Sequence, residues 1–272
     1  MLSSFVLALR EGVEAALVVG LLFGALRKLN RKEFSASIWG GVISAFVLSG
    51  LIAVAFNIAG KSLEDPAEAI FEGITMLAAA GLLTWMIFWM HKQSPLLKGT
   101  IEANVRSALG QKGGRTLFWV AFIAVIREGI ELALYLVAAG LASNPTQELL
   151  GASLGLVTAA GLGWLLFSST YRLPLGRFFQ VTNILLILFA AGLVGQAMHE
   201  FVGLGWVPPV VTQLYNLSVV LSTNSLPGQV FKTLLGYNPT PSLTESLAYL
   251  IYIAILLIVV LWITRRAMAT TA

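Results

Sequence analysis

Seven long apolar stretches divide the chain, and they constrain its fold more than any other feature of the sequence. A helix needs about 20 mostly apolar residues to cross a membrane, and the strict alternation typical of membrane strands is absent. The sequence therefore predicts an all-α, polytopic membrane protein with seven transmembrane helices. We place these helices at 2–26, 35–59, 67–90, 116–140, 149–168, 178–199 and 244–264.

The composition supports this interpretation and limits the chemistry. Of the 272 residues, 57% are hydrophobic and only 11% are charged, which is too apolar for a soluble domain. There is no cysteine, so disulfides and thiolate metal sites within this chain are excluded, and any metal must bind oxygen or nitrogen ligands. Because Arg10 and Glu11 interrupt the first apolar stretch, we expect a retained helix rather than a cleaved signal peptide.

The basic residues collect in alternate connections and predict the topology. Thirteen of the 17 lie in the segments after spans 1, 3 and 5 or at the C-terminus, whereas only Lys61 and Lys232 lie in the other connections. The positive-inside rule then predicts an outer N-terminus and a cytoplasmic C-terminus, in the cytoplasmic membrane. Since this orientation explains the basic pI, we expect lipid and no nucleic acid as a partner. The thirteen residues are Arg27, Lys28, Arg31, Lys32, Lys92, Lys98, Arg106, Lys112, Arg115, Arg172, Arg177, Arg265 and Arg266.

A charged motif occurs twice inside the apolar stretches, as REGVE at 10–14 and REGIE at 127–131. In each copy the arginine and both glutamates lie within about 100° on one helix face. Each copy lies roughly 12–16 Å along its helix, so antiparallel helices can bring both to mid-membrane. The charged residues are Arg10, Glu11, Glu14, Arg127, Glu128 and Glu131.

Four glutamates and two arginines leave two negative charges uncompensated. If the charges only pinned the helices together, arginine–carboxylate pairs would account for two glutamates and leave two unexplained. Charged residues within a membrane are costly and typical of a functional site. The surplus carboxylates therefore hold protons or bind a cation, and their oxygens suit hard ions such as Mg²⁺, Ca²⁺, Mn²⁺ or Fe³⁺. We expect Met86 and Met90 to serve packing and not metal binding.

The two motifs also indicate an internal repeat. Spans 1–3 at 1–91 resemble spans 4–6 at 116–203, which also share the sequence AAGL at 79–82 and 190–193. Because three spans are an odd number, the halves face opposite ways, as in many transporters. We predict one membrane domain with an inverted 3+3 repeat, an outer segment at 204–243 and a seventh helix at 244–264.

Further candidate residues lie on the predicted outer side. Glu72 is too deep in span 3 to cap its helix, so we include it among the metal ligands. For Asp65 and Glu68 we favour an N-cap and a capping box over a metal site. For His199 and Glu200, at the end of span 6, an outer metal site and an interfacial ion pair are both open.

These features resemble the oxidase-dependent iron transporters, also called high-affinity iron permeases. The doubled motif, FEG at 71–73 and MHEF at 198–201 carry the resemblance, which covers essentially the whole chain. It implies uptake of Fe³⁺ supplied by an external oxidase or iron-binding partner, with iron as substrate and no resident cofactor. It assigns metal binding to the glutamates of 10–14 and 127–131, and positions them through Arg10 and Arg127.

Three alternatives stay open from the residues alone. The first is transport of another hard or heavy metal cation, since some members of the family are assigned to lead. The second is an intramembrane metal-dependent enzyme, although no nucleophile or base pattern accompanies the carboxylates. The third is a scaffold role in which the charges only lock helices. We predict a permease and not an enzyme.

Overall fold

The computed structural model places a long α-helix at every predicted span. The helices are α1 (Leu2–Lys28), α2 (Ser35–Lys61), α3 (Ala67–Gln93), α4 (Gly113–Leu141), α5 (Pro145–Ser168), α6 (Leu175–Gly203) and α7 (Leu243–Ala269). No strand occurs in the part of the chain that the structure describes, so the all-α prediction is confirmed there. The described residues are 1–93, 113–141, 145–168, 175–211, 213–216, 228, 231 and 237–269.

Five of these helices are long and apolar enough to cross a membrane, namely α2, α3, α5, α6 and α7. Helices α1 and α4 differ from them because each carries one charged motif. Length and composition therefore support a polytopic membrane protein. Of the predicted outer segment 204–243, a large part lies outside the described residues.

The chain forms two compact units that cut across the predicted repeats. The first unit contains Met1–Ser62 and Trp85–Thr182, and the second contains Leu63–Thr84 and Asn183–Ala272. The first unit therefore combines α1 and α2 with α4 and α5, although we assign these pairs to different repeats. The reason is that the helices of one pair pack against those of the other.

In the first unit, α1 packs against α5 and α4, and α2 packs against α4. Leu22 and Leu26 of α1 meet Ile38 of α2 and Leu117 of α4 in one fully buried cluster. Lipid tails are as apolar as leucine, so such contacts between membrane helices depend on close packing rather than on escape from water.

Small residues allow these helices to approach closely at two equivalent places. A Cβ added to Gly41 of α2 would collide with the carbonyl oxygen of Phe118 in α4. A Cβ added to Gly151 of α5 would collide with the carbonyl oxygen of Met1 beside α1. Phe118 follows Met1 by 117 positions, which is also the separation of the two motifs. The two contacts are therefore equivalent, because α4 and α2 take the same parts in one contact as α1 and α5 take in the other.

The glycines within the motifs repeat this relation. A Cβ on Gly12 would lie 2.6 Å from the Cβ of Ala159 in α5, and a Cβ on Gly129 would collide with the side chain of Ser49 in α2. Ala159 follows Ser49 by 110 positions, as Gly151 follows Gly41. Each motif helix thus presents its glycine to the second helix of the other predicted repeat.

The predicted cap of α3 is wrong, and a cap of the same type occurs at α7. Helix α3 begins at Ala67, and the amides of Ala67 and Glu68 donate to the carbonyl oxygen of Glu64 at 2.8 and 3.2 Å. The turn thus closes on a backbone oxygen one residue before Asp65. At α7, Ser242 Oγ accepts from the amide of Glu245 at 3.2 Å, and Glu245 Oε1 accepts from the amide of Ser242 at 3.3 Å, which is a capping box.

Candidate metal centre

Helices α1 and α4 bring three motif glutamates together inside the first unit. Glu11, Glu128 and Glu131 each offer one carboxylate oxygen, and these three oxygens lie within 4.8 Å of one another. All three side chains are buried. Oxygens that share a cation at roughly 2.0–2.6 Å lie no more than about 5 Å apart. This carboxylate cluster, defined as Glu11, Glu128 and Glu131, has the spacing of a metal site.

The second oxygen of each carboxylate differs from the first in its hydrogen bonding. Within the described part of the chain, the Oε2 atoms of Glu11, Glu128 and Glu131 are buried and accept no hydrogen bond. A buried carboxylate oxygen that accepts no hydrogen bond is costly, because it has lost its water without gaining another donor. The cluster therefore has spare acceptor capacity that a cation or protons can take up.

Arg10 lies beside the cluster and links two of the predicted ligands. Its side chain is fully buried. Its Nη1 donates to Glu11 Oε1 at 3.3 Å, and its Nε forms an ion pair with Glu14 Oε1 at 3.4 Å. Glu14 is not one of the three clustered carboxylates. Arg10 thus contacts one member of the cluster, Glu11, and the one motif carboxylate outside it, Glu14.

Arg127 has a different environment from Arg10. Its Nε donates to Glu131 Oε1 at 3.0 Å, and its side chain is 31% exposed. Its guanidinium lies over the ring of Trp85, with 5.7 Å to the ring centroid, which is within the range of a cation–π contact. The two arginines of the repeated motif are therefore not equivalent in this structure.

Two fully buried side chains near the motifs were not predicted to have a polar role. Met86 Sδ accepts from Arg10 Nη1 at 3.3 Å and from the hydroxyl of Tyr135 at 3.7 Å. The prediction that Met86 packs in the interior agrees with its burial, but its thioether is also an acceptor. Tyr135 follows Glu131 by four residues and so shares its helix face, a signal that could have identified it.

The two weaker sequence motifs meet each other in the second unit. A Cβ on Gly73 of FEG would lie 2.6 Å from the ring of Phe201 of MHEF. The carboxylate of Glu72 is half-buried and lies within electrostatic range of Glu200 and Glu68. The structure thus groups the three acidic residues that the sequence leaves at separate positions on α3 and α6.

His199 pairs with a residue that the sequence does not connect to it. Its Nδ1 lies 3.0 Å from Glu245 Oε1 at the start of α7. The other oxygen of Glu245 accepts from Asn238 Nδ2 at 2.9 Å. Of the two alternatives for His199, this contact favours an ion pair at a helix terminus, with Glu245 rather than Glu200 as its partner.

Comparison with known proteins gives a consistent result over nearly the whole chain. The sequence model of the Iron permease FTR1 family matches residues 1–270. The ferrous iron permease EfeU of Escherichia coli O157:H7 is 37% identical over 251 residues, which cover 92% of this chain and 91% of the relative. The ferrous iron permease EfeU of Yersinia pestis is 34% identical, with 92% and 89% covered. No solved structure matches the chain.

These matches confirm the resemblance seen in the doubled motif and two predictions that follow from it. Permeases are transport proteins, so the prediction of a permease rather than an enzyme is confirmed. Together with the five apolar helices, they identify an integral membrane protein that transports iron. The chain belongs to the Iron permease FTR1 family.

Proposed function

We propose that this permease moves iron across the cytoplasmic membrane by way of the carboxylate cluster. The observation that carries the proposal is the convergence of Glu11, Glu128 and Glu131 from two helices, with one oxygen of each within 4.8 Å of the others. Their unpartnered second oxygens add acceptor capacity for a cation. Glu14, held by Arg10, is the fourth carboxylate of the site.

The net charge of the site suits reversible binding of a cation. Four carboxylates and two guanidinium groups give the site a net charge of −2 when all are ionised, which attracts iron. The arginines offset part of the repulsion between carboxylates that lie close together in a low-dielectric interior. A site with four carboxylates and no positive charge would hold a multivalent cation more tightly, and this would slow its release.

The contacts within the first unit support the predicted inverted repeat. Exchanging α1 with α4 and α2 with α5 relates the contact of Gly41 with Phe118 to that of Gly151 with Met1. Inverted repeats in transporters place the substrate site at the repeat interface, and the halves rock about it. We propose the same for this chain, with all seven helices crossing the membrane and the cluster between α1 and α4.

The acidic residues of the second unit extend the proposal. Glu72 stays a proposed metal ligand, and Glu68 and Glu200 lie within electrostatic range of it. A group of like charges on the predicted outer side raises the local concentration of cations. His199 is engaged by Glu245, so we assign it to the structure of the helix terminus.

The valence of the iron has two candidates, each with its own support. The all-oxygen donor set of the cluster favours Fe³⁺, the harder ion, and would require the predicted external oxidase or iron-binding partner. The relatives from Escherichia coli and Yersinia pestis are named ferrous iron permeases, which favours Fe²⁺. Whichever form is transported, we propose that it binds at the carboxylate cluster.

Uptake of radiolabelled iron into liposomes that contain only this protein tests the proposal. We expect uptake above that of protein-free liposomes, with Fe²⁺ kept reduced by ascorbate in one arm and Fe³⁺ citrate in the other. The arm with the higher initial rate identifies the valence. A preparation that is folded but transports neither form would contradict transport by this chain alone. Competition by Mn²⁺ and Pb²⁺ measures the selectivity for iron.

The predicted topology is testable by cysteine labelling, because the chain has no cysteine of its own. We expect Glu64→Cys to react with a membrane-impermeant maleimide in intact cells. We expect Lys32→Cys to react only after permeabilisation. Both positions are exposed and flank α2 at opposite ends, so they form a matched pair. If only Lys32→Cys is labelled in intact cells, the orientation is opposite to the predicted one. If both variants are labelled in intact cells, α2 does not cross the membrane.

A further inference from the structure

The contacts of Arg10 raise the question of what holds its guanidinium in place. Arginine carries five N–H donors and no acceptor, and Arg10 is fully buried in the structure. Buried N–H donors of this kind are stabilised by acceptors that surround them. Glu11 and Glu14 supply acceptors, but both are also proposed to bind iron. An acceptor that takes no part in metal binding would hold the arginine independently of the cargo.

Met86 supplies such an acceptor. Its Sδ lies 3.3 Å from Arg10 Nη1, the same nitrogen that donates to Glu11 Oε1 at 3.3 Å. Met86 is fully buried, as is Tyr135, whose hydroxyl donates to the same sulfur at 3.7 Å. The adjacent residue of α3, Trp85, lies against Arg127. Two neighbouring positions on one helix thus contact both arginines of the repeated motif.

We propose that Met86 is a positioning residue whose thioether holds the Arg10 guanidinium between Glu11 and Glu14. This inference rests on the proposed role of the carboxylate cluster. With the guanidinium held, Glu11 keeps one oxygen toward Arg10 and the other without a described hydrogen bond. Without the thioether, Arg10 turns further onto the carboxylates and competes with iron for their oxygens.

A thioether suits this role because it accepts a hydrogen bond without a negative charge. A carboxylate at the same place would draw Arg10 away from Glu11 and Glu14 and would itself attract the cation. Sulfur is a weak acceptor, so it guides the arginine without removing it from its ion pairs. Methionine also fills the surrounding apolar space as leucine would.

Two substitutions separate positioning from packing. Met86→Leu keeps an apolar side chain of similar volume and removes the acceptor, whereas Met86→Gln keeps the length and supplies a neutral amide oxygen. If Met86 only packs, leucine is the better replacement, because volume-conserving apolar exchanges are tolerated and a buried amide is not. If Met86 positions Arg10, glutamine is the better replacement. The two roles therefore predict opposite orders.

The measurement is binding of radiolabelled iron to the purified protein, in the valence that the wild type transports. We expect Met86→Leu to raise the Kd about tenfold, the scale of one more charge-assisted hydrogen bond from Arg10 to the carboxylates that iron must displace. We expect Met86→Gln to stay within about threefold, less than the tenfold that 1.4 kcal/mol represents. Met76→Leu is the matched control, since Met76 is also buried on α3 and accepts no hydrogen bond among the described residues.

The outcomes distinguish this inference from the proposed function. Wild-type protein that binds no iron would contradict the proposed site itself. Iron binding by Met86→Leu as tight as that of the wild type, or tighter than that of Met86→Gln, would overturn the inference alone. If Met86→Leu does not fold, Met86→Gln decides by itself: near-normal binding supports positioning, and tenfold weaker binding contradicts it. Tyr135→Phe is expected to bind normally, and a loss as large as that of Met86→Leu would assign the effect to the phenol instead.

Discussion

Glu11→Gln is expected to abolish iron uptake while the protein still inserts at normal abundance. Glu11 is the most buried of the three clustered carboxylates, and its oxygens are shared between Arg10 and the cluster. Glutamine keeps the shape and one acceptor but removes the charge that a hard cation requires. Iron binding to the purified variant should weaken by about tenfold or more, the scale of one charged contact.

The other motif carboxylates extend this prediction in a defined order. We expect Glu128→Gln and Glu131→Gln to lose uptake as Glu11→Gln does, because they complete the cluster. We expect a smaller loss for Glu14→Gln, since Glu14 lies outside the three and is paired with Arg10. The measurement is initial uptake rate per molecule in liposomes, with abundance determined for each variant.

Glu148→Gln is the matched control for these variants. Glu148 is a buried glutamate of the first unit that lies outside the cluster, so its replacement should change stability or abundance and leave uptake per molecule unchanged. A scaffold role for the motif charges predicts this same result for the cluster variants. Removal of an uncompensated buried charge would then even increase stability. Normal uptake per molecule in all four motif variants would end the metal-site proposal.

Arg10→Lys is expected to reduce uptake nearly as strongly as loss of a cluster carboxylate. Arg10 reaches Glu11 and Met86 through Nη1 and Glu14 through Nε. Lysine keeps the charge but has a single nitrogen, so it cannot reproduce contacts made from two edges of a planar group. We expect an uptake rate lower by about tenfold, because at least one charge-assisted hydrogen bond is lost.

Arg127→Lys should also impair uptake, but less than Arg10→Lys. Arg127 is partly exposed, and it contacts Glu131 and the ring of Trp85. An ammonium group can retain both contacts in part. Arg31→Lys is the control, because Arg31 forms an exposed pair with Glu33 and such pairs contribute little. Full uptake by both motif variants at normal abundance would contradict a positioning role for the arginines.

The sequence alone predicted the helices and the charged face of α1 and α4. A membrane span needs a long apolar run, and the spacing of charges along a helix determines which residues share a face. Both properties are local, so all seven helices lie at the predicted positions. The same reasoning placed the glutamates of 10–14 and 127–131 where α1 and α4 can meet, and the structure brings three of them within 4.8 Å.

The residue pattern did not predict the start of α3 or the partner of His199 correctly. Asp65 has the residue type of an N-cap, but the backbone of the preceding turn closes on Glu64. His199 stands next to Glu200 in sequence but pairs with Glu245 on another helix. At α3 the competing acceptor is a backbone oxygen, which every residue type carries, so the residue pattern does not identify it. Glu245 follows His199 by 46 positions, so only the fold brings the two side chains together.

Tertiary structure also decided which residues surround the site. Methionine usually packs in apolar interiors, so the residue pattern assigned Met86 no polar role. Its sulfur accepts a hydrogen bond because the fold places it next to Arg10. Arg10 is buried and Arg127 is partly exposed. The repeated motif does not predict this difference, because both arginines have the same position in it. The charged residues and the glycine are the same in both motifs. Their environments differ because α3 contributes Met86 to one and Trp85 to the other, and only the packing of distant segments determines that choice.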